Sequence, residues 1–180
     1  MKHPVSLWAI GVGYTEPEFV LPLREEEINV LKRSTTLVIT RQRELSARLE
    51  YWFDINAHTL PCPSLFCFEN YPEKTKNTLS YTSHSIAEIG GNSYFDSDPH
   101  EMLRYIGQYR RVISNRLHGT IAAISSGANV TMENDSFRCQ EAIKLFEDVM
   151  ETDRHYITAF KTRIFNDYYN IINKHYAKTS

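Results

Sequence analysis

Val112-Ile113-Ser114-Asn115-Arg116-Leu117-His118-Gly119-Thr120-Ile121-Ala122-Ala123-Ile124-Ser125-Ser126-Gly127 reads as a buried strand, a polar turn and a helix of small residues. A cation and an imidazole stand where the strand ends and the helix begins. In an open α/β sheet, ligands bind at that end of the strands. A helix N-terminus offers unpaired N–H groups and a partial positive charge. Arg116 and His118, with the backbone N–H groups of Gly119 and Thr120, therefore make a candidate site for a phosphate or carboxylate. Gly119 lets a ligand approach the backbone, and Ser114 and Asn115 can shape the turn through their side chains. The plain alternative is a salt-bridged arginine beside a structural histidine. Gly127 stands where a helix-ending glycine belongs.

Outward from this stretch, strands and helices alternate. Val5 to Val12 is an apolar run with little alternation, as expected of a strand buried on both faces. Gly11-Val12-Gly13 ends it but lacks the third glycine of a dinucleotide fingerprint. A helix is predicted over Leu23 to Arg33, a β-branched strand over Thr35 to Thr40, a helix over Leu45 to Phe53 and a weaker strand over Ile55 to Leu60. Pro61-Cys62-Pro63-Ser64 breaks the pattern, and residues 63–76 read as a linker. Leu79 to Thr82 and Ser93 to Phe95 are strand candidates, with a short helix at Ser85 to Ile89. Asp98 is a predicted N-cap, with Pro99 at the first helical position and a helix running through Met102, Leu103, Ile106 and Tyr109. Ala128 to Met132 forms the strand after the central helix, and Glu133-Asn134-Asp135-Ser136 is a polar loop at its end. Helices are predicted over Phe137 to Met150 and Tyr156 to Tyr176. On the last helix, the spacing of Phe160, Phe165, Tyr168, Tyr169 and Tyr176 favours a packing stripe over a sugar platform.

The order of elements predicts an α/β fold with parallel sheets and right-handed crossovers. The expected division is residues 1–62, a linker at 63–76, a lobe over 77–154 carrying Arg116 and His118, and a C-terminal helix over 155–180. The net charge of −2 in 180 residues excludes a general affinity for polyanions such as nucleic acid. No apolar run is long enough for a membrane span, and Met1-Lys2-His3-Pro4 does not read as the start of a signal peptide. The three cysteines, an odd number, read as reduced thiols, which with these features predicts a cytoplasmic protein. Cys62 and Cys67 have no second ligand pair, so no metal site is predicted.

Ser114-Asn115-Arg116-Leu117-His118-Gly119-Thr120, then Gly127, then Glu133-Asn134-Asp135-Ser136, resemble the polysaccharide pyruvyl transferase family. That family carries an R-L-H-G motif between a strand and a small-residue helix, followed by an acidic "D-N-S-x-x-K" segment. Here the acidic segment reads E-N-D-S, and Arg138 stands near the usual lysine. Ala9-Ile10-Gly11-Val12-Gly13 is similar to a strand end of the family's first lobe. Ile39-Thr40-Arg41-Gln42-Arg43-Glu44-Leu45-Ser46 and Pro61-Cys62-Pro63-Ser64-Leu65-Phe66 are similar to two further elements of that lobe.

The resemblance implies Rossmann-like, GT-B-like lobes, with the N-terminal lobe incomplete in this sequence. It implies phosphoenolpyruvate as donor substrate, no cofactor and a sugar acceptor on a cell-surface or extracellular polysaccharide. Arg116 would anchor the donor and His118 would serve as acid/base. Asn115, Gly119, Thr120, Glu133, Asp135 and Arg41 are the further substrate-binding candidates. Expected partners are the donor and the glycan. A peripheral association with membrane-bound glycan assembly, and a second copy or partner chain covering the incomplete lobe, are left open. Two other functions stay open: a non-catalytic remnant of the family, and a GT-B-like glycosyltransferase using a nucleotide sugar.

Overall fold

The computed structural model describes residues 5–10, 24–81, 98–133, 137–150 and 154–177. The Gly11-Val12-Gly13 strand end, the candidates at Ser85 to Ile89 and Ser93 to Phe95, and Asp135 lie outside the described residues. Two compact units emerge. The first comprises Met1–Pro61, Ser136–Leu145 and Ile164–Ser180, and the second Cys62–Asp135 and Phe146–Arg163. Each holds a three-stranded parallel sheet among the described residues.

In the first unit, β1 (Val5–Ile10) and β3 (His58–Thr59) flank β2 (Thr35–Thr40), both in parallel. Parallel neighbours require a crossover, which α1 (Glu25–Ser34) and α2 (Arg43–Phe53) help to provide. Four consecutive residues of β2, Leu37 to Thr40, are buried, so the strand is covered on both faces. Leu45, Leu49 and Phe53 recur every fourth residue on α2 and pack with Val38, Leu7 and Ile28. Asp54 ends α2 in the left-handed region at φ 52.

The second unit repeats the plan. β5 (Tyr109–Ser114) lies between β4 (Lys76–Tyr81) and β6 (Asn129–Met132), again all parallel. This is the α/β, Rossmann-like architecture expected from the alternation of elements. Before β5 comes α3 (Pro99–Gly107), and between β5 and β6 comes α4 (Leu117–Ser125). The Asp98 carboxylate accepts the N–H groups of His100 at 2.8 Å and Glu101 at 3.3 Å, as its N-cap reading predicts. α4 closes through Gly127 at φ 77, whose N–H donates to Ile124 O at 2.9 Å while Ala128 N–H donates to Ala123 O at 3.1 Å. These two bonds satisfy carbonyls that a helix end leaves open. An L-residue pays for that backbone conformation, so Gly127→Ala is expected to destabilise the protein by about 1 kcal/mol. A urea melt checks this through a lower midpoint at unchanged slope.

Several local expectations shift. Tyr109 does not end α3 but begins β5, fully buried, because the pairing Lys76↔Tyr109 draws it into the ladder. Residues 63–76 are not featureless: Pro63–Phe66 form a 3-10 helix, and β4 already starts at Lys76. The helix expected over Phe137 to Met150 is α5 (Phe137–Ile143) followed by a 3-10 run, Lys144–Val149. Its buried residues Ile143, Phe146 and Val149 are three apart, the repeat of the tighter helix. The last helix, α6, spans Arg154–Tyr176. Of its aromatic residues, Phe160 and Tyr168 are buried as a packing stripe requires, whereas Phe165, Tyr169 and Tyr176 are exposed. Within the first unit, Tyr168 stacks on Trp8 with ring centroids 5.9 Å apart, and its hydroxyl donates to Pro61 O at 2.7 Å.

Candidate functional site

The register of the second sheet aligns the ends of its strands. Ser114 is level with Tyr81 on one side and Met132 on the other, so the three strands finish on one rim. The Ser114 side chain folds back on the turn that follows. Its hydroxyl accepts Arg116 N–H at 3.0 Å and donates to Arg116 O at 3.3 Å. Arg116 is thereby held extended, at φ −107 and ψ 124, as the residue that caps α4. Asn115 and Arg116 are both partly buried in this turn.

One feature of the expected anion cradle changes. Thr120 N–H donates to Arg116 O at 2.9 Å, forming the first helical bond of α4. It is therefore committed to the helix, and the N–H groups without an intrahelical acceptor are those of Leu117, His118 and Gly119. Thr120 is fully buried, and its hydroxyl has no hydrogen-bond partner among the described residues. Leaving such a group unsatisfied costs about 1–3 kcal/mol.

Eight of the nine residues of α4 are buried. The exception is His118, which is exposed. An apolar, small-residue helix buried all round explains the eight. The imidazole is thus the one side chain that this helix presents outward, one turn of chain after the end of β5.

His118 has a partner that the sequence reading passed over. Cys62, read there as an ordinary reduced thiol, is 7% exposed, and His118 is among the groups that set its pKa. Ser64 Oγ donates to the same sulfur at 3.0 Å. Burial pushes the Cys62 thiol up, but the bonds from His118 and Ser64 and the positive charge of a protonated His118 outweigh it. The thiol is brought down to about 6.

The segment after Cys62 explains how the sulfur reaches His118. The 3-10 turn Pro63–Phe66 runs beside α4, and Leu65 is fully buried. The far end is fastened at the C-terminus of α4. There Ser125 Oγ donates to Leu65 O at 2.6 Å and accepts Phe68 N–H at 3.3 Å. Lys161 Nζ donates to Phe68 O at 2.9 Å and Ser125 O at 2.8 Å, bringing a cation to the negative end of the helix. Burial lowers the pKa of Lys161 and raises that of the nearby Cys67 thiol. With its far end tied at Ser125, the segment delivers Cys62 to the N-terminal turn.

The remaining candidates fall as follows. Glu133 is exposed, and its N–H donates to Ser114 O at 2.8 Å, placing it on the same rim. The second unit therefore brings together Asn115, Arg116, His118, Gly119, Thr120 and Glu133. Arg41 belongs to the first unit, where its N–H donates to Ile10 O at 3.0 Å. The adjoining Ser46 is structural. Thr40 Oγ1 spends its proton on Gln42 O at 2.9 Å, so Ser46 donates to Thr40 at 2.7 Å and accepts from Thr59 at 2.6 Å. A separate cleft of about 520 Å³ in the first unit is bordered by Asn56, His58, Asn170, Lys174 and His175, none of them a sequence candidate.

Among the described residues, no group of three or more His, Cys, Asp or Glu side chains is placed to hold a metal ion. No helix among them is long and apolar enough to cross a membrane. No curated protein and no solved structure matches the chain. The model of one family does match, that of polysaccharide pyruvyl transferase, over residues 1–132. The match covers both sheets and runs through Arg116-Leu117-His118-Gly119 to the last residue of β6. With that motif on the rim of the second sheet and most of the chain matched, the protein belongs to the polysaccharide pyruvyl transferase family.

Proposed function

We propose that the chain transfers a pyruvyl group from phosphoenolpyruvate to two hydroxyls of one sugar, closing a ketal on a cell-surface or extracellular polysaccharide. The observation that carries this reading is His118, exposed on an otherwise buried helix and two residues after Arg116, within the stretch matched by the family. The donor carries a carboxylate and an enol phosphate with a terminal methylene. The planar fork of Arg116 suits bidentate binding of either anion. The first turn of α4, with the N–H of Gly119, adds donors beside it.

His118 as imidazolium gives its proton to the methylene carbon, and the adjacent carbon becomes electrophilic. One sugar hydroxyl adds there, phosphate leaves, and the second hydroxyl closes the ketal. The neutral imidazole accepts a hydroxyl proton in turn. Glu133 and Asp135 would orient the acceptor. Asn115 and Thr120 would line the donor pocket, and Arg41 is a further substrate-binding candidate. The scheme uses phosphoenolpyruvate as a substrate and needs no cofactor. A cytoplasmic location, with peripheral access to membrane-bound glycan intermediates, fits a donor of this kind.

The test is phosphate release from phosphoenolpyruvate with saccharide acceptors, together with donor binding by calorimetry. The native chain is expected to bind the donor, and Arg116→Ala to weaken it by about 10- to 100-fold, the loss of a charge-assisted pair. Absence of donor binding by the native chain would overturn the assignment. Binding without turnover on any acceptor would identify a relative that keeps the pocket and has lost the reaction.

A further inference from the structure

The ketal-forming scheme leaves the cleft of about 520 Å³ in the first unit unused. We propose that this cleft is a second binding site, for a small organic phosphate: a phosphate monoester on a compact apolar body. The inference is independent of the donor assigned above. Every described residue that lines the cleft belongs to the first unit, whereas Arg116 and His118 belong to the second. The buried Leu37 and Val38 and the half-buried Ile171 give the cleft an apolar wall. Its size is that of a small-molecule pocket, and an apolar wall with a few convergent polar groups is the usual make-up of one.

The fold accounts for the opening. β3 pairs with β2 only at Ile39↔His58 and Thr40↔Thr59, so β2 has no registered β3 partner ahead of Ile39. Leu37 and Val38 border the cleft there, together with His58 at the first rung. The rest of the lining comes mainly from the last turns of α6. Asn170 and Lys174, and Ile171 and His175, are four residues apart and share one face of that helix.

The polar part of the lining selects the charge. It consists of Asn56, His58, Asn170, Lys174 and His175, with no carboxylate among the described residues. Among those residues, the side chains of Asn56, His58, Asn170 and Lys174 make no hydrogen bond or ion pair, so their donors are open to a ligand. Lys174 and His175 also complement the negative end of α6, which accounts for basic residues in a last helical turn. That does not account for His58, which comes from the sheet edge. Three basic side chains on one cleft match the three terminal oxygens and nearly double charge of a phosphate monoester. A carboxylate has two oxygens and a single charge. The apolar wall has no use for the phosphate itself and fits the body that carries it.

The experiment is a calorimetric titration of the folded native chain with phenyl phosphate at pH 7, with inorganic phosphate and phenol as controls. Phenyl phosphate is expected to bind, and each control to bind at least about 10-fold more weakly, since one lacks the body and the other the anion. Lys174→Ala and His58→Ala truncate exposed residues and leave the fold intact. Each is expected to weaken phenyl phosphate by about 10-fold, the loss of a charge-assisted bond. Arg116→Ala is expected to retain the cleft site, which separates it from the donor site. The proposal is overturned if the native chain does not bind phenyl phosphate, if either cleft substitution leaves the affinity unchanged, if inorganic phosphate binds as tightly, or if Arg116→Ala removes the binding.

Discussion

His118→Ala is expected to lower turnover of phosphoenolpyruvate by about 100- to 10,000-fold while changing donor affinity only a few-fold. The asymmetry follows from where the residue sits. Arg116 caps α4 and, in the proposed scheme, would supply the cation for the donor's anionic groups, whereas His118 would supply a proton that is needed only as the transition state forms. Losing such a group lowers kcat and leaves ground-state binding nearly intact. The substitution is also clean structurally. The eight other residues of α4 carry its packing, and His118 is the exposed one, so its truncation opens no cavity. Stability should be compared at pH 6 or below, where the Cys62 thiolate contributes little. Single-turnover phosphate release measures the chemical step directly. A variant that binds the donor and turns over at the native rate would remove His118 from the chemistry and leave Arg116 as an anion anchor alone.

Much of this site was legible before folding, and what was not has a physical reason. β2 and β5 announce themselves through apolar and β-branched runs too continuous for a half-exposed strand. The Asp98-Pro99 start of α3 and the Gly127 end of α4 are local events. A carboxylate that accepts its neighbours' N–H groups, and a glycine that takes a positive φ, need only their immediate chain. Arg116 and His118 were likewise visible, since a strand-to-helix turn is written in consecutive residues. The Thr120 N–H was misjudged because counting from the turn does not fix which residue makes the first helical bond.

The Cys62–His118 pair was invisible for a different reason. It joins residues far apart in the chain and exists because Ser125 and Lys161 tie the intervening loop to the other end of α4. No periodicity encodes that. The only written hint was the coincidence of a C-P-S stretch with an R-L-H-G motif in one chain. The split of the helix expected over Phe137 to Met150 is similar in kind. Ala142 and Ile143 belong to one unit and Phe146 and Val149 to the other, so one apolar pattern was serving two cores.

Between pH 6 and pH 9, the stability of the native chain is expected to rise, and Cys62→Ala to abolish most of that rise. In the unfolded chain, Cys62 keeps its proton until about pH 8.5. In the folded chain it releases the proton near pH 6. Within this window the unfolded state binds the extra proton, so unfolding becomes harder as pH increases. Above the window the full contribution is present; as pH falls through 6 it is lost. Each full pH unit inside the window is worth at most about 1.4 kcal/mol, giving a total on the order of a few kcal/mol. Three other groups with shifted pKa values do not mimic this in the difference between native chain and variant. Glu27, lowered by its bonds with Arg24, titrates in the carboxylate range, well below the window. Cys67 is shifted the opposite way, so its contribution falls with pH, and only at the alkaline edge. Lys161 is lowered by burial in both chains and cancels in the difference between them. Urea midpoints measured at half-unit pH intervals for the native chain and Cys62→Ala give that difference directly. Parallel curves would mean that Cys62 is protonated in the folded protein at neutral pH, and its bonds with His118 and Ser64 would then be those of a neutral thiol.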